Sequence, residues 1–267
     1  VTPMQFPIEN NRGSLEGKVK DMHSCFNLNS ILLKARSPSA SGEVGGANEL
    51  SDQNSDTGNE PSNEFGKPLA GEKLFVKLIE PLMPESEATA TSLAAALRDW
   101  VDEDQEVSGA EGAEDYTYTG YELPYRTADT LMAHTSELLV IKGFTPEIYD
   151  AIKDHVCVLP TKEGGINVNT VDPEQAELVW MLLEDANLSD VRQVLADMPE
   201  EGYSESDFFS ALGSGNVSRE GAGRLVFDSK YLLLTATANI QTGRAQTKSL
   251  LMKNGNTFQV VARHIGD

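Results

Sequence analysis

The two ends of the chain carry β-type patterns of apolar and polar residues. Residues 4–31 contain "MQFPIE", "LEGKVKDM" and "CFNLNSILL" around the turn-forming "NNRGS", and Pro3 and Pro7 argue against a helix. From about residue 223 the chain returns to long β-rich runs, in which "NGN" at 254–256 is typical of a hairpin turn. We therefore expect strands at both ends of the chain.

The middle of the chain has helical spacing instead. Apolar residues from Leu74 to Leu82 recur at intervals of three and four, and Pro81 and Pro84 predict the end of that helix. Residues of the N-cap type predict where the later helices begin. These residues are Thr91, Thr145, Asp172, Ser189 and Ser204.

This order, strands then helices then strands, predicts an α+β fold. Neither strand set is extensive enough for a stable sheet alone, so the economical arrangement is one antiparallel sheet built from both chain ends, with a large α-helical domain inserted in it. The predicted boundaries are 1–35 for the first part of the β-domain, 36–67 for a flexible polar insertion, 68–215 for the inserted helical domain and 216–267 for the second part of the β-domain.

Composition narrows the range of functions. The chain has 42 Asp and Glu against 21 Lys and Arg, and a net charge of −21 repels nucleic-acid backbones. No stretch approaches the roughly 18 consecutive apolar residues of a membrane span. The nucleophile elbow, the H-E-x-x-H zinc motif, the P-loop and the dinucleotide-binding fingerprint are all missing from the sequence. We therefore expect a protein that is not an enzyme.

Two cysteines, Cys25 and Cys157, are present. They are too far apart for a redox Cys-x-x-Cys motif and too few for a zinc site by themselves. A long-range disulfide is the natural interpretation, and it would place the protein outside the cytosol. The alternative is two separate buried thiols.

Two other functions remain as alternatives. "SELLVIKGFTPEIYDAI" and "INVNTVDPEQAELVWML" look like helix-hairpin-helix or SAM-like units, which in some proteins bind DNA phosphates. The hairpin at 143–145 lacks a second glycine, and few lysines surround it, so packing is the favoured interpretation. A periplasmic carbohydrate-active enzyme would need two convergent carboxylates, and in so acidic a chain a pair of them is uninformative.

An acidic stretch covers residues 99–126, with nine carboxylates before the first base. Asp102, Asp104 and Glu106 match the first three ligand positions of an EF-hand, but Val107 and Ala113 replace its glycine and its last ligand, so this is not an EF-hand. Further acids follow a glycine-containing turn and could complete a shell of oxygen ligands. A solvated acidic loop is the alternative.

Several motifs together resemble one known family. They are "FPIENNRGSLEGKVKDMHSCFNLNSI", "LRDWVDED", "GAEDYTYTGYELPYRTADTLMAHTSELLVIKGF", "INVNT" and "FDSKYLLLTATA". In this order they look like the K-type minor pseudopilins of bacterial type II secretion, the general secretion pathway protein K family. The resemblance covers nearly the whole chain except 36–67. It implies a pseudopilin-type sheet with an inserted α-domain.

The resemblance also implies a function. Family members begin with a leader and an apolar helix that anchors them in the inner membrane; neither is present here, so we expect the soluble periplasmic part. The family acts at the tip of the pseudopilus, together with I-type and J-type minor pseudopilins and with the H-type pseudopilin as a further candidate. There it helps to initiate the filament that exports folded proteins. The resemblance implies structural Ca²⁺ in the α-domain, for which we expect the ligands Asp102, Asp104, Glu111, Glu114 and Asp115.

Overall fold

The strands at the two ends of the chain meet in one sheet. The structure is a computed structural model that describes residues 4–8, 13–34, 67–213, 215–240 and 242–266. In chain order the strands are β1 (Met4–Ile8), β2 (Gly13–Asp21), β3 (Phe26–Asn27), β4 (Val156–Cys157), β5 (Ile166–Asn167), β6 (Leu183–Glu184), β7 (Asn216–Val217), β8 (Leu225–Val226), β9 (Tyr231–Ile240), β10 (Gly243–Asn254) and β11 (Thr257–Ile265).

The α-helices lie between β3 and β7 in the chain. They are α1 (Ala70–Ile79), α2 (Ala90–Val101), α3 (Asp115–Thr119), α4 (Pro146–Ile152), α5 (Glu177–Trp180), α6 (Leu188–Ala196) and α7 (Glu205–Leu212). The segments Leu28–Leu32, Thr135–Val140 and Pro173–Gln175 are 3-10 helices.

The main sheet has five strands in the order β1-β2-β9-β10-β11, and every neighbouring pair is antiparallel. The pairing of β2 with β9 joins the two chain ends, from Gly13 opposite Ile240 to Asp21 opposite Leu232. Gly255 has φ 58° in the tight turn between β10 and β11, a conformation that glycine adopts without steric cost. The predicted α+β fold, with an antiparallel sheet from both ends, is confirmed.

This sheet has one apolar and one polar face. Residues that are paired across antiparallel strands point to the same side, so the register assigns each side chain to a face. The apolar face carries Met4, Phe6, Leu15, Val19, Leu232, Leu234, Ile240, Leu251, Phe258, Val260 and Ile265. The other face carries mostly Lys, Thr, Gln and Asn, and at the end near the helical part it carries Tyr231, Leu233, Leu250 and Met252. The apolar side chains nearest the sheet edges are strongly exposed.

The main hydrophobic core lies in the helical part of the chain. There α1 and α2 pack against each other and against the 3-10 helix Leu28–Leu32. The glycine of the hairpin that resembles a DNA-binding unit, Gly143, lies against Leu93 of α2, and Phe144 is buried beside it. A small cluster of Leu159, Tyr231 and Leu250 joins the helical part to the sheet.

The predicted disulfide is present. Cys25 and Cys157 are joined, with Cα atoms 5.7 Å apart, beside the short parallel pair of β3 and β4. It links the segment after β2 to the inserted helices across 132 residues of sequence. The prediction of a long-range disulfide is therefore confirmed.

The run "CFNLNSILL" was expected to be a strand, and that expectation is wrong beyond Asn27. Only Phe26–Asn27 is extended, and Leu28–Leu32 forms a 3-10 helix. Asn27 caps this turn by accepting a hydrogen bond from the Asn29 amide. Leu28 and Ile31 are fully buried, so the apolar run marks core packing rather than alternation between two faces.

Three of the five predicted N-caps are observed: Thr145, Asp172 and Ser204. The predicted cap of α2 is wrong, because Thr89 and not Thr91 forms reciprocal hydrogen bonds with Ser92. Asn187 rather than Ser189 precedes α6. After Asp172 the chain forms only the turn Pro173–Gln175 and the short α5, since residues 183–184 pair with β7.

The repeated Asn-x-Asn motifs connect distant segments. Local hydrogen bonds are present, yet the Asn29 amide group also donates to the Met132 and Leu159 carbonyl oxygens and its side-chain oxygen accepts from the Met132 amide. Asn169 bonds in the same reciprocal way with the Tyr203 backbone. The buried Asn29 and the half-buried Asn169 thus satisfy backbone groups of distant segments.

The predicted insertion at 36–67 lies, apart from Lys67, outside the described residues. The division of the chain into domains at residues 35, 68 and 216 stays a prediction. Among the helices of the described ranges, none is long and apolar enough to span a lipid bilayer.

Candidate metal centre

Three acidic side chains converge where α2 ends and α3 begins. Asp99 lies in the last turn of α2, Asp102 is its C-cap, and Glu114 is the N-cap of α3. One carboxylate oxygen from each lies within 4.8 Å of the others. Asp102 and Glu114 were expected as ligands from the sequence, whereas Asp99, which lies on the helix before the acidic loop, was not.

Asp99 organises this site. Its side chain is fully buried and accepts hydrogen bonds from the Ser108 amide at 3.0 Å and from the Ala113 amide at 2.6 Å. These bonds hold the acidic loop against the end of α2. The loop passes so closely that a Cβ on Gly112 would lie 2.2 Å from Asp99 Oδ2, and only glycine fits there.

Several oxygens in the site have no donor. Both Glu114 carboxylate oxygens and Asp102 Oδ1 are buried without a hydrogen-bond partner among the described residues, and so are Ser108 Oγ and Asp129 Oδ1. Buried carboxylate oxygens without donors cost free energy, because they lose hydration and gain nothing in return. A cation shared by the three converging acids would satisfy the free oxygens of Asp102 and Glu114.

Burial and the closeness of the other carboxylates raise the pKa values of these acids. Burial, with the charges of Asp99, Asp102 and Asp129, raises the pKa of Glu114 to about 8. Burial, with Asp104 and Asp99, raises the pKa of Asp102 to about 7, and Arg98 offsets this only in part. Without a cation, the site therefore resists full ionisation at neutral pH.

Asp129 is a fourth carboxylate near this cluster. Its backbone adopts φ 48°, a left-handed conformation that aspartate tolerates better than most residues. One side-chain oxygen accepts a hydrogen bond from Gln105 at 3.0 Å, and the other is buried and unpartnered. Asp129 lies beyond the acidic stretch in sequence, and no spacing rule connects it with Asp99.

The other three predicted ligands have protein partners. Asp104 accepts a hydrogen bond from the Glu106 amide, and Glu111 accepts one from the Thr89 hydroxyl at 3.3 Å. Asp115 accepts from the Thr127 amide and hydroxyl and forms an ion pair with Arg126. The structure does not bring these three into the cluster, and their role as ligands stays a prediction.

The donor set suits a hard divalent cation. The converging groups are carboxylates with one nearby hydroxyl, without histidine or cysteine, and such oxygen ligands favour Ca²⁺ or Mg²⁺ over zinc. The unsatisfied oxygens show that the residues present fit such an ion. Coordinated there, it would join the end of α2, the acidic loop and the start of α3.

Comparison with known proteins identifies the family. The chain matches the family models described as type II secretion system (T2SS), protein K, over residues 24–161 and 166–226. The chain belongs to the type II secretion system protein K family. The resemblance seen in the sequence motifs is thereby confirmed, and the cluster of acids lies within the first matched part.

Relatives in this family align along almost all of the chain. Type II secretion system protein K of Aeromonas hydrophila is 30% identical over 263 residues, which cover 97% of this chain and 72% of the relative. The Klebsiella pneumoniae protein of the same name is 30% identical over 96% of this chain and 71% of its own length.

A solved structure shares the fold. The whole chain superposes on 84% of a chain in the crystal structure of the GspK-GspI-GspJ complex from the enterotoxigenic Escherichia coli type 2 secretion system, with a TM-score of 0.75 and 24% identity. This protein K family member therefore shares the fold of a chain in that complex.

Proposed function

We propose that the protein is a minor pseudopilin at the tip of the type II secretion pseudopilus, where it assembles with I-type and J-type minor pseudopilins. Its membership of the protein K family supports this role, and so does its likeness to a chain that was solved in a GspK-GspI-GspJ complex. In this role it is an assembly subunit that helps to start the exporting filament, not an enzyme, and the H-type pseudopilin is a further candidate neighbour.

The exposed apolar face of the main sheet carries this proposal. Phe258 is 52% exposed and Ile265 80% exposed, and both lie on the edge strand β11. On the far edge, Met4 and Phe6 of β1 are also more than half exposed. A long exposed edge strand with apolar side chains promotes aggregation unless another chain or segment covers it. A subunit within a filament meets that requirement.

The resemblance also suggests how the protein is held at the membrane. We infer that the apolar anchoring helix that the resemblance attributes to the family holds it there before assembly. The disulfide between Cys25 and Cys157 fits the oxidising periplasm. The full-length protein would thus be inserted in the inner membrane before it joins the pseudopilus.

Calcium has a structural role in this proposal. Asp99, Asp102 and Glu114 would form the centre of the site, with Asp129 and the Ser108 hydroxyl close by. The bound ion would neutralise carboxylates that otherwise repel one another, and so would stabilise the junction between α2 and α3. The predicted ligands Asp104, Glu111 and Asp115 could contribute as an outer layer.

A co-assembly experiment tests the role. The chain is mixed with the I-type and J-type minor pseudopilins of the same organism, and the mass of the complex is measured by light scattering after size exclusion. The double variant Phe258→Glu/Ile265→Glu should lose assembly, because it places charges on the apolar face.

The matched control changes the same strand on its polar face. The double variant Gln259→Glu/His264→Glu adds the same number of carboxylates to exposed positions of β11 and should assemble normally. If the native chain forms no complex with either partner, or if both double variants assemble equally well, the proposed use of this face is wrong.

A further inference from the structure

A cavity of about 350 Å³ lies where the main sheet meets the helical part of the molecule. Its wall includes His23 after β2, Tyr231 at the start of β9, Leu159, Gly165 and Arg224. Lys34 lies on its wall as well. The volume is at the small end of the range of ligand-binding pockets. It is separate from the acidic cluster, since none of the carboxylates of that cluster lines it.

Arg224 is the unusual residue of this cavity. The residue is only 8% exposed, and its Nη1 is buried without a hydrogen-bond partner among the described residues. Burial lowers the pKa of Arg224 to about 10, opposed only by the charge of Glu220. A buried charge without a partner is expensive, and native proteins normally pair it with an anion.

The acids near the cavity are already engaged. Glu220 forms an ion pair with Lys73 at 2.8 Å, and Glu163 forms one with Lys230 at 2.9 Å. Each of these acids is thus paired with a lysine that does not line the cavity, whereas Arg224 and Lys34 form no ion pair with any described residue. A local excess of positive charge is notable in a chain whose net charge is −21. It would attract an anion into the cavity.

His23 adds a second unmet group. Its Nδ1 lies 3.1 Å from the Gly165 carbonyl oxygen, so Nδ1 carries the hydrogen and donates to that oxygen. Nε2 is then an acceptor, and it is buried without a partner in the described part of the chain. The cavity therefore offers a guanidinium to an anion and an imidazole nitrogen to an N–H donor.

We propose that this cavity binds a carboxylate with a neighbouring amide N–H, as found at the C-terminal end of a polypeptide or in a free acylated amino acid. Arg224 binds the carboxylate through its paired N–H groups, which match the geometry of a carboxylate. The N–H donates to His23 Nε2, and Lys34 adds attraction without a fixed hydrogen bond. This ligand site is independent of the role proposed above for the apolar sheet face.

The test is an NMR titration of the intact chain with N-acetylglycine. The backbone amide signals of Gly165 and Gly223, which line the cavity, should shift and saturate. N-acetylglycinamide has the N–H but lacks the carboxylate, and it should bind at least about tenfold more weakly, because a charge-assisted hydrogen-bond pair is lost. Equal binding of the acid and the amide, or shifts that sodium chloride reproduces at the same ionic strength, would overturn the proposal.

Two further ligands distinguish the sources of the carboxylate. Acetate has the charge without the N–H, and a short peptide ending in glycine presents both groups at a chain terminus. Peptide binding at least as tight as that of N-acetylglycine supports capture of a polypeptide end. Tighter binding of the single acylated amino acid supports a free small acid. Acetate binding as tightly as N-acetylglycine would overturn the role of His23.

Variants of Arg224 and Lys34 test how the carboxylate is bound. Arg224→Gln should weaken N-acetylglycine binding by about tenfold or more, and Arg224→Lys should restore only part of it, because lysine cannot pair in a bidentate manner. Lys34→Gln should weaken binding by about threefold, as expected for an exposed charge. Lys20→Gln removes an exposed lysine that does not line the cavity and serves as the control.

Should Arg224→Gln fail to fold, judged by its NMR spectrum, Arg224→Lys and Lys34→Gln still decide the matter. Unchanged binding in folded variants at both positions would show that the cavity does not recognise the carboxylate.

Discussion

The Asp99 carboxylate accepts a hydrogen bond from the Ala113 amide at 2.6 Å, across 14 residues of sequence. This bond closes the acidic loop onto the end of α2 and carries Glu114, the next residue, into the cluster. The loop is thus shaped by one buried acid, and its remaining acids are left with unmatched oxygens. Calcium should therefore add to an existing scaffold rather than create it.

The first prediction concerns metal removal. Saturating Ca²⁺ should raise the melting temperature of the native chain by several degrees relative to EGTA, since ligand at 100 times its dissociation constant adds about 2.7 kcal/mol. Glu114→Gln should melt higher than the native chain in EGTA, because a neutral amide avoids the cost of burying a carboxylate beside other acids, and it should lose the response to Ca²⁺. Differential scanning fluorimetry measures both effects.

Asp104→Asn is the informative comparison. If only Asp99, Asp102 and Glu114 bind the ion, this variant should keep most of its rise in melting temperature with Ca²⁺. Loss of that rise would show that Asp104 is also a ligand. A native chain shown to be metal-free and indifferent to Ca²⁺ would refute the calcium proposal.

The second prediction concerns Gly112. A methyl group there would overlap Asp99 Oδ2 and the Ser108 amide, so Gly112→Ala should destabilise the protein by about 1–3 kcal/mol and weaken Ca²⁺ binding. Gly120→Ala is the control, because a Cβ at Gly120 meets only ordinary contacts of 3.5 Å or more. Urea unfolding of both variants measures the difference. Equal stability of the two would mean that the loop does not need this close approach.

The order of strands and helices could be predicted from the sequence, because it depends on patterns among neighbouring residues. Alternation of apolar residues, the turn at 254–256 and the caps at Thr145 and Ser204 each follow from near neighbours. The 3-10 helix Leu28–Leu32 could not be predicted, since a short buried apolar run shows no periodicity that distinguishes a strand from a helix.

The site was predicted only in part. Asp102 and Glu114 were expected as ligands from the acidic stretch together with the family resemblance. Asp99 looks like an ordinary acid of a helix, and its burial depends on how the loop folds back over it. Asp129 and Arg224 are surrounded by residues from segments distant in sequence, and the spacing of residues along the chain does not predict such contacts.

The third prediction concerns the disulfide. The double variant Cys25→Ser/Cys157→Ser should unfold with a free energy lower by about 4 to 5 kcal/mol, from the loss of a cross-link that spans 132 residues in the chain-entropy model. Denaturant unfolding measures it, with the native chain studied with and without reductant. If reduction and the double substitution both leave the denaturation midpoint unchanged, the disulfide does not stabilise the protein by reducing the entropy of the unfolded chain.

The fourth prediction concerns pH. His155 is largely buried, and this burial lowers the pKa of its imidazole, although the carboxylates of Glu177 and Asp154 oppose the shift. The unfolded chain therefore takes up the proton first. The contribution of His155 to stability is complete above a pH of about 6.5 and is lost as the pH falls below that value.

The measurement compares variants, because many other groups titrate in the same range. Unfolding free energies of the native chain and His155→Gln are determined from pH 7.5 to pH 5, and the native chain should lose more stability than the variant. His264→Gln removes an exposed imidazole that has no side-chain hydrogen bond among the described residues, and it should follow the native chain. Parallel curves for the native chain and His155→Gln would contradict the prediction.

The last prediction separates binding from stability at Arg224. A guanidinium that no described group satisfies should destabilise the unliganded protein, so Arg224→Met should melt at a higher temperature than the native chain in a buffer free of carboxylates. Adding N-acetylglycine should raise the melting temperature of the native chain but not that of the variant. A residue that served only packing would behave in the opposite way: its replacement would lower the melting temperature in both buffers, and the ligand would leave both proteins unchanged.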